Sequence, residues 1–292
     1  MDVRACYAFA RVNTKRASTL IAAAAAAALL AACATREPAR PIVVQGAMDV
    51  EIRKLAGALD HVTEEDIGGW IFWRGTLDGY PVVISKTLKG MSNAAAATAL
   101  VAERYHPVAI INQGTAGGHV PELHLFDIVL GTQAVNLGSF KTGYRARGEG
   151  SNHAEWNPLD LMRSEGSAGM DPNARTMRRF PGDEGLLSAA RAVRGQYRRG
   201  HVVDGVIGSS EVWNSEIDRI QRFHDQYGTS AEEMETASAA QIAGLFRIPF
   251  LGIRVVSNNI MNGEAYDTKA GEACQDYVQA VVKAYIAGRS KR

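Results

Sequence analysis

Between Ser230 and Asn259 the chain reads as a polar start, an Ala-rich helix, a break at Ile248-Pro249 and an apolar run ending in three polar residues. Met234, Ala237, Ala240, Ile242 and Leu245 fall where a buried helix places its apolar positions. Phe250 to Val256 has the length and branching of a strand buried on both faces. A helix feeding a buried strand commits the chain to an α/β fold. Glu232, Glu233 and Glu235 crowd the start of that otherwise nearly uncharged helix, and Ser257-Asn258-Asn259 closes the strand. Open α/β sheets bind ligands outside the carboxyl ends of their strands, so a pocket is expected here.

The rest of the chain extends this pattern. Pro41 to Gly46 is a short apolar strand, and Gly46-Ala-Met-Asp-Val-Glu51 turns into a helix with Ile52, Leu55 and Leu59 on its apolar side. Glu51 sits in the first turn, where an acid also complements the helix dipole. Asp78-Gly79 between Trp70–Leu77 and Tyr80–Ser85 signals a hairpin. A helix from Ala94 to Tyr105, capped by Ser92 or Asn93, stops at His106-Pro107. The strand Val108 to Ile111 runs into a predicted turn, Asn112 to Gly118, whose three glycines let the backbone approach a ligand. No Lys follows and no helix opens there, which excludes a P-loop or a dinucleotide fingerprint. Further strands are read at Asp127–Leu137 and His201–Ser209, and helices from Gly182-Asp183-Glu184 to about Tyr197 and from about Thr268 to Ile286. The last should bury Ala273, Tyr277, Val281 and Tyr285. Together these predict an α/β fold, a three-layer α/β sandwich with a mixed central sheet. Polar clusters at Gly46, Gly114, Gly208 and Ser257 are placed to form one composite site.

The amino terminus differs from the rest. Arg4, Arg11, Lys15 and Arg16 precede an uncharged run, Leu20 to Ala32, with seven consecutive alanines. This is an export signal and too short to span a membrane comfortably. Its end, Leu30-Ala31-Ala32-Cys33, resembles the lipobox of bacterial lipoproteins, which implies a lipid on Cys33 and a membrane-anchored lipoprotein facing the periplasm or cell exterior. The expected organisation is a signal peptide over 1–32, a tether over 33–41 and one domain over 42–292. Cys6 and Cys33 belong to the export segment, so Cys274 has no cysteine to pair with inside the domain. With 32 basic and 31 acidic side chains, the chain has no net field to attract nucleic acid.

Gly46-Ala-Met-Asp-Val-Glu51, Ile111-Asn-Gln-Gly-Thr-Ala-Gly-Gly118 with Asp127-Ile-Val129, Glu233-Met-Glu235 and Arg254-Val-Val-Ser-Asn258 resemble, in order, the motifs of the nucleoside phosphorylase superfamily. They are most similar to its hydrolytic branch, the methylthioadenosine/S-adenosylhomocysteine nucleosidases, over about Ile42 to Ile286. The resemblance implies an N-glycosidase that needs no metal or organic cofactor, takes a small purine nucleoside and forms a homodimer or larger homo-oligomer. It also implies roles. Glu235 grips the ribose hydroxyls, Met234 packs on the sugar beside Glu233 and Met48, and Thr115, Ala116 and Gly117 line the cleft. Val212, Trp213 and Ser257 belong to the base region, and Glu51 deprotonates the attacking water.

Phosphorylases of the superfamily hold phosphate with arginines near the first strand and before the glycine-rich segment. Met48-Asp49 and Asn112 stand there instead, so water is the expected nucleophile. Two departures qualify the resemblance. Val212 replaces an aromatic that stacks on the purine, with Trp213 next to it, and Asn258 replaces the Asp that protonates the leaving base. An Asn cannot give up a proton, but its amide suits O6 and N1–H of a 6-oxopurine. The alternatives are therefore a phosphorylase or hydrolase preferring 6-oxopurine nucleosides, or a catalytically silent nucleoside-binding lipoprotein. Arg175, Arg178 and Arg179, in the polar stretch Gly138–Arg199, are expected in a solvated loop or a lid.

Overall fold

Along the central strands successive side chains are buried on opposite faces, so helices must cover both sides. The computed structural model describes residues 39–159 and 174–289. The predicted signal peptide, Cys33 and most of the tether lie outside them.

In chain order the elements are β1 (Ile42–Gly46), α1 (Asp49–Gly57), β2 (Asp60–Ile67), β3 (Trp70–Leu77), β4 (Tyr80–Lys86), α2 (Met91–Tyr105) and β5 (Ala109–Gly118). There follow β6 (Ile128–Asn136), β7 (Phe140–Lys141), β8 (Asn157–Pro158), α3 (Ala174–Met177), β9 (Arg179–Pro181), α4 (Glu184–Ala192) and β10 (Val202–Ser209). The chain continues through α5 (Ile217–Tyr227), β11 (Thr229–Glu233), α6 (Thr236–Leu245), β12 (Phe250–Asn258) and α7 (Lys269–Arg289). The main sheet runs β11-β10-β6-β12-β5-β1-β4-β3-β2, with β9 beside β6. It is mixed: β1 is parallel to β4 and β5, while β12 is parallel to β5 and antiparallel to β6. Strand β11 also pairs antiparallel with the end of β5, folding that edge of the sheet back on itself.

Ile42 and Val44 of β1 and Ile111 of β5 pack under α1, α4 and α7. Val43 and Ile110, one residue out of phase, pack under α2 and α6. These layers are the predicted three-layer sandwich. Burying each such Val or Ile contributes about 1.5–3 kcal/mol, so the alternation fixes the strand register. The hairpin is also as read: Leu77 pairs with Tyr80, and Asp78 and Gly79 both have positive φ, at 50° and 77°.

Several expectations need correction. Asn112 to Gly118 is no turn but the second half of β5, because Gly114 to Gly117 bond to β12 and Gly117 and Gly118 to β11. The three acids do not start a helix; Glu232 and Glu233 end β11, and Glu235 is the residue before α6. Leu245 is 63% exposed, since α6 packs through Ala237, Ala240 and Ala243 and turns Leu245 outward. Helix α2 begins at Met91 after Gly90, whose φ of 98° only glycine adopts readily, so neither Ser92 nor Asn93 caps it. Tyr285 is half-buried, and the helix read to Tyr197 ends at Ala192, followed by a short 3-10 turn. Arg178 is in neither a solvated loop nor a lid: it is buried, donating to Tyr227 Oη at 3.1 Å and Ser139 O at 2.8 Å. Arg179 is half-buried and donates to Gln133 Oε1, while Arg175 is exposed. Strand β2 has no counterpart in the sequence reading, because its side chains are mostly exposed and polar, as suits a sheet edge.

Candidate active site

The carboxyl ends of β5, β11 and β12 and the start of α1 enclose a cavity of about 470 Å³. Every described residue predicted for the site lines it. Met48 and Glu51 come from the start of α1, Thr115, Ala116 and Gly117 from β5, and Ser257 and Asn258 from β12. Glu233, Met234 and Glu235 come from the β11–α6 junction, and Val212 and Trp213 from the loop after β10. Cys33 lies outside the described residues. The sequence reading missed Lys89, His119, Asn214, Glu232, Ile260 and Tyr266, which also line the cavity. Glu232 stood in the acid run and His119 directly after the glycine pair, but no local pattern brings the two together.

Glu51 is buried yet accepts four hydrogen bonds. Its Oε2 takes the amides of Ala47 and Met48, both at 3.0 Å, and its Oε1 takes the Thr115 amide at 2.8 Å and the Thr115 hydroxyl at 2.9 Å. No cation is needed, because three backbone donors point at one carboxylate. Gly114 makes room for it: a Cβ there would stand 2.7 Å from Glu51 Oε1. Three donors are fixed in the backbone, so only the Thr115 hydroxyl can rotate away and yield its place to a ligand.

The opposite wall adds charge to its backbone donors, the amides of Glu235 at 2.9 Å and Thr236 at 3.0 Å, which both reach Glu233 Oε2. Arg254, 1% exposed, donates from Nε to Glu233 Oε2 at 3.0 Å and from Nη1 to Asn112 O at 3.0 Å. Burial pushes Glu233 up, but Arg254 and the Ser209 hydroxyl outweigh it and hold the carboxyl below its ordinary range. Glu235 lacks such support. Its Oε1 accepts the Gly90 amide at 2.9 Å, and its Oε2 lies 3.8 Å from Arg254 Nη2. Burial first, and the charge of Glu233 second, push it up to about 8. Near neutral pH it is therefore a protonated acid that can both donate to and accept from a sugar hydroxyl.

At the third wall the Ser257 hydroxyl, with one proton to give, lies 3.1 Å from Ala116 O and 3.2 Å from Asn258 Oδ1, and the Asn258 amide borders the cavity. Trp213, 67% exposed, meets the Tyr266 ring edge-on at 5.6 Å between centroids. An aromatic wall therefore exists despite Val212. His119 and Glu232 form a buried pair, with His119 Nε2 3.0 Å from Glu232 Oε2. Among the described lining residues Lys89 is the sole Lys or Arg, and it is exposed.

The comparisons with known proteins agree with this geometry. Residues 41–287 match the phosphorylase superfamily. The chain is 31% identical over 221 residues to the 5'-methylthioadenosine/S-adenosylhomocysteine nucleosidase of Anoxybacillus flavithermus, covering 74% of this chain and 84% of that one. It is 30% identical over 218 residues to the nucleosidase of the same name from Bacillus thuringiensis, covering 74% and 85%. Among solved structures it resembles the Neisseria meningitidis nucleosidase in complex with methylthio-immucillin-A, with a TM-score of 0.68, 24% identity and coverage of 84% and 99%. It also resembles the futalosine hydrolase of Helicobacter pylori, with a TM-score of 0.66, 21% identity and coverage of 84% and 97%.

Proposed function

The chain belongs to the phosphorylase superfamily, and from that premise we propose that it is a purine nucleosidase. It hydrolyses the N-glycosidic bond of nucleosides of the 5'-methylthioadenosine/S-adenosylhomocysteine type to the free base and a (thio)ribose. The observation that carries this reading is the Glu51 cradle facing the buried Glu235 carboxyl across one cavity. Glu235 holds the ribose hydroxyls, with Met234 against the sugar. Water replaces the Thr115 hydroxyl at Glu51 Oε1, loses its proton to Glu51 and bonds to C1′, while the C1′–N9 bond breaks with its electron pair passing to the base. The purine anion then takes a proton from solvent water, and Glu51 gives its own back to solvent. Phosphate is the poorer nucleophile here, because Arg254 is committed to Glu233 and Asn112.

Asn258 sets the pace of base departure. Its amide can hydrogen-bond N7 but cannot protonate it, so Asn258→Asp should raise turnover of methylthioadenosine by about tenfold or more. The assay is release of adenine from methylthioadenosine by the purified protein. Binding of the nucleoside without release would make it a nucleoside-binding protein instead, the outcome that Asn258 favours if no other acid serves the base.

We also propose that Cys33 carries a lipid that anchors the exported protein to a membrane, on the strength of the basic segment, apolar run and Leu30-Ala31-Ala32-Cys33 box. Cys33→Ser should move the protein from the detergent-requiring fraction to the soluble one, and a wild type already soluble outside the cytoplasm would contradict the anchor.

A further inference from the structure

The cavity contains a buried polar cluster that the hydrolytic step does not use. His119 is 2% exposed, with Nδ1 2.8 Å from Thr229 Oγ1 and Nε2 3.0 Å from Glu232 Oε2. Glu232 Oε2 also accepts from Asn214 Nδ2 at 2.8 Å, and its Oε1 accepts from the Ser210 hydroxyl at 2.6 Å. An ionised carboxylate offers about four acceptor positions, so one on Oε1 is left for a ligand. Burial pushes Glu232 up, but the hydrogen bond and charge of His119, with the bonds from Ser210 and Asn214, outweigh it and keep the carboxyl below its ordinary range. It remains an acceptor and nothing else.

The strand register shows where that acceptor stands. Gly117 of β5 is opposite Glu232 of β11 on one side and opposite Asn258 of β12 on the other. Residues directly opposite one another share a face of the sheet. With strands spaced about 4.8 Å apart, the Cα atoms of Glu232 and Asn258 are about 10 Å apart across a backbone without a side chain. The Asn258 amide leans over this gap, its Nδ2 3.3 Å from where a Gly117 Cβ would be. A flat heterocycle lying over Gly117 therefore meets a donor from Asn258 at one end and an acceptor from Glu232 at the other.

We infer that Glu232 is a specificity-determining residue for the base, taking an N–H from its Watson–Crick edge, and that with Asn258 it matches the slot to 6-oxopurine nucleosides. This rests on the nucleosidase reading. N7 and O6 are adjacent acceptors and suit the Asn258 amide. The next position, N1, carries a hydrogen in a 6-oxopurine and a lone pair in adenine. Against adenine, Glu232 would set one acceptor against another, and a site built around a hydrogen bond discriminates strongly against a base that cannot make it.

The test compares 5'-methylthioadenosine with 5'-methylthioinosine, which share a sugar and differ only in the base, on the wild-type chain and on Glu232→Gln. The wild type should show a kcat/KM for the inosine analogue at least equal to that for the adenosine analogue. Glu232→Gln should lower the first by about tenfold or more and the second by less than about threefold. Cleavage of the adenosine analogue alone overturns the inference and leaves the nucleosidase reading standing. An equal loss on both substrates would reduce Glu232 to a pin between β11 and β5 and overturn it as well. Cleavage of neither contradicts the nucleosidase reading; then, or if the variant does not fold, the wild type's affinities for free hypoxanthine and adenine decide. Tighter hypoxanthine supports the slot, and tighter adenine overturns it.

Discussion

Two walls of one cavity hold carboxylates on backbone amides, and only one of them adds a cation. At the start of α1, Glu51 is surrounded by backbone amides and one hydroxyl, with no cation bonded to it. At the end of β11, Glu233 accepts the amides of Glu235 at 2.9 Å and Thr236 at 3.0 Å and also the buried guanidinium of Arg254, and Glu235, two residues on, is left to the Gly90 amide and a more distant charge. The same side chain thus meets three environments, a cradle of amides and a hydroxyl at Glu51, a guanidinium at Glu233 and a single amide at Glu235. The amide-built wall holds its carboxylate in place yet leaves one acceptor position, that of the Thr115 hydroxyl, which a ligand can take. Fixed charge on the other wall suits a group that should not move.

The largest expected effect breaks the amide-built wall. Glu51→Gln should lower kcat by about 10²- to 10⁴-fold, the range a general base contributes, while changing the dissociation constant of free base little. Rapid-quench kinetics and base titration separate the two, and full activity would place water activation elsewhere. Next comes the charge-built wall. Arg254→Met leaves Glu233 buried without its partner and should cost about 3–5 kcal/mol of stability in urea unfolding. Adding Glu233→Gln should recover part of that loss, whereas a double variant no better than the single one would show that the pair is not the reason.

Glu235 sharpens the contrast through pH. Its folded-state value of about 8 lies above the ordinary 4.5, so the stability it contributes is complete below about 4.5 and is lost as pH rises through about 8. The melting temperature of ligand-free protein should fall across that window, and Glu235→Gln should flatten the fall. An unchanged slope would assign it to another group. The smallest effect is at the rotatable donor. Thr115→Val removes the donor that water must displace at Glu51 Oε1, so kcat should change by less than about threefold, and a loss of about tenfold or more would show that the hydroxyl holds the substrate or the water itself.

Much of this contrast was legible in the sequence. Hydrophobic period located the strands β1, β5, β6, β10 and β12, and the motif order brought Glu51, Glu235 and Asn258 into one pocket, where the structure places them. What escaped reading depends on pairings between distant strands. The glycine-rich half of β5 looks like a turn until β11 and β12 bond to either side of it. Likewise, Glu232 and His119 lie far apart in the chain, and only the antiparallel β11–β5 pairing joins them. Charged strand β2 carries no apolar alternation, because a sheet edge needs none.

The central claim, that water activated at Glu51 attacks C1′, is tested most directly by isotope. The enzyme is given methylthioadenosine in ¹⁸O-water containing phosphate, and the sugar product is examined by mass spectrometry. The account predicts free methylthioribose carrying one ¹⁸O introduced during turnover, after correction for exchange of the free sugar, and no sugar phosphate. A methylthioribose 1-phosphate without the label would contradict it.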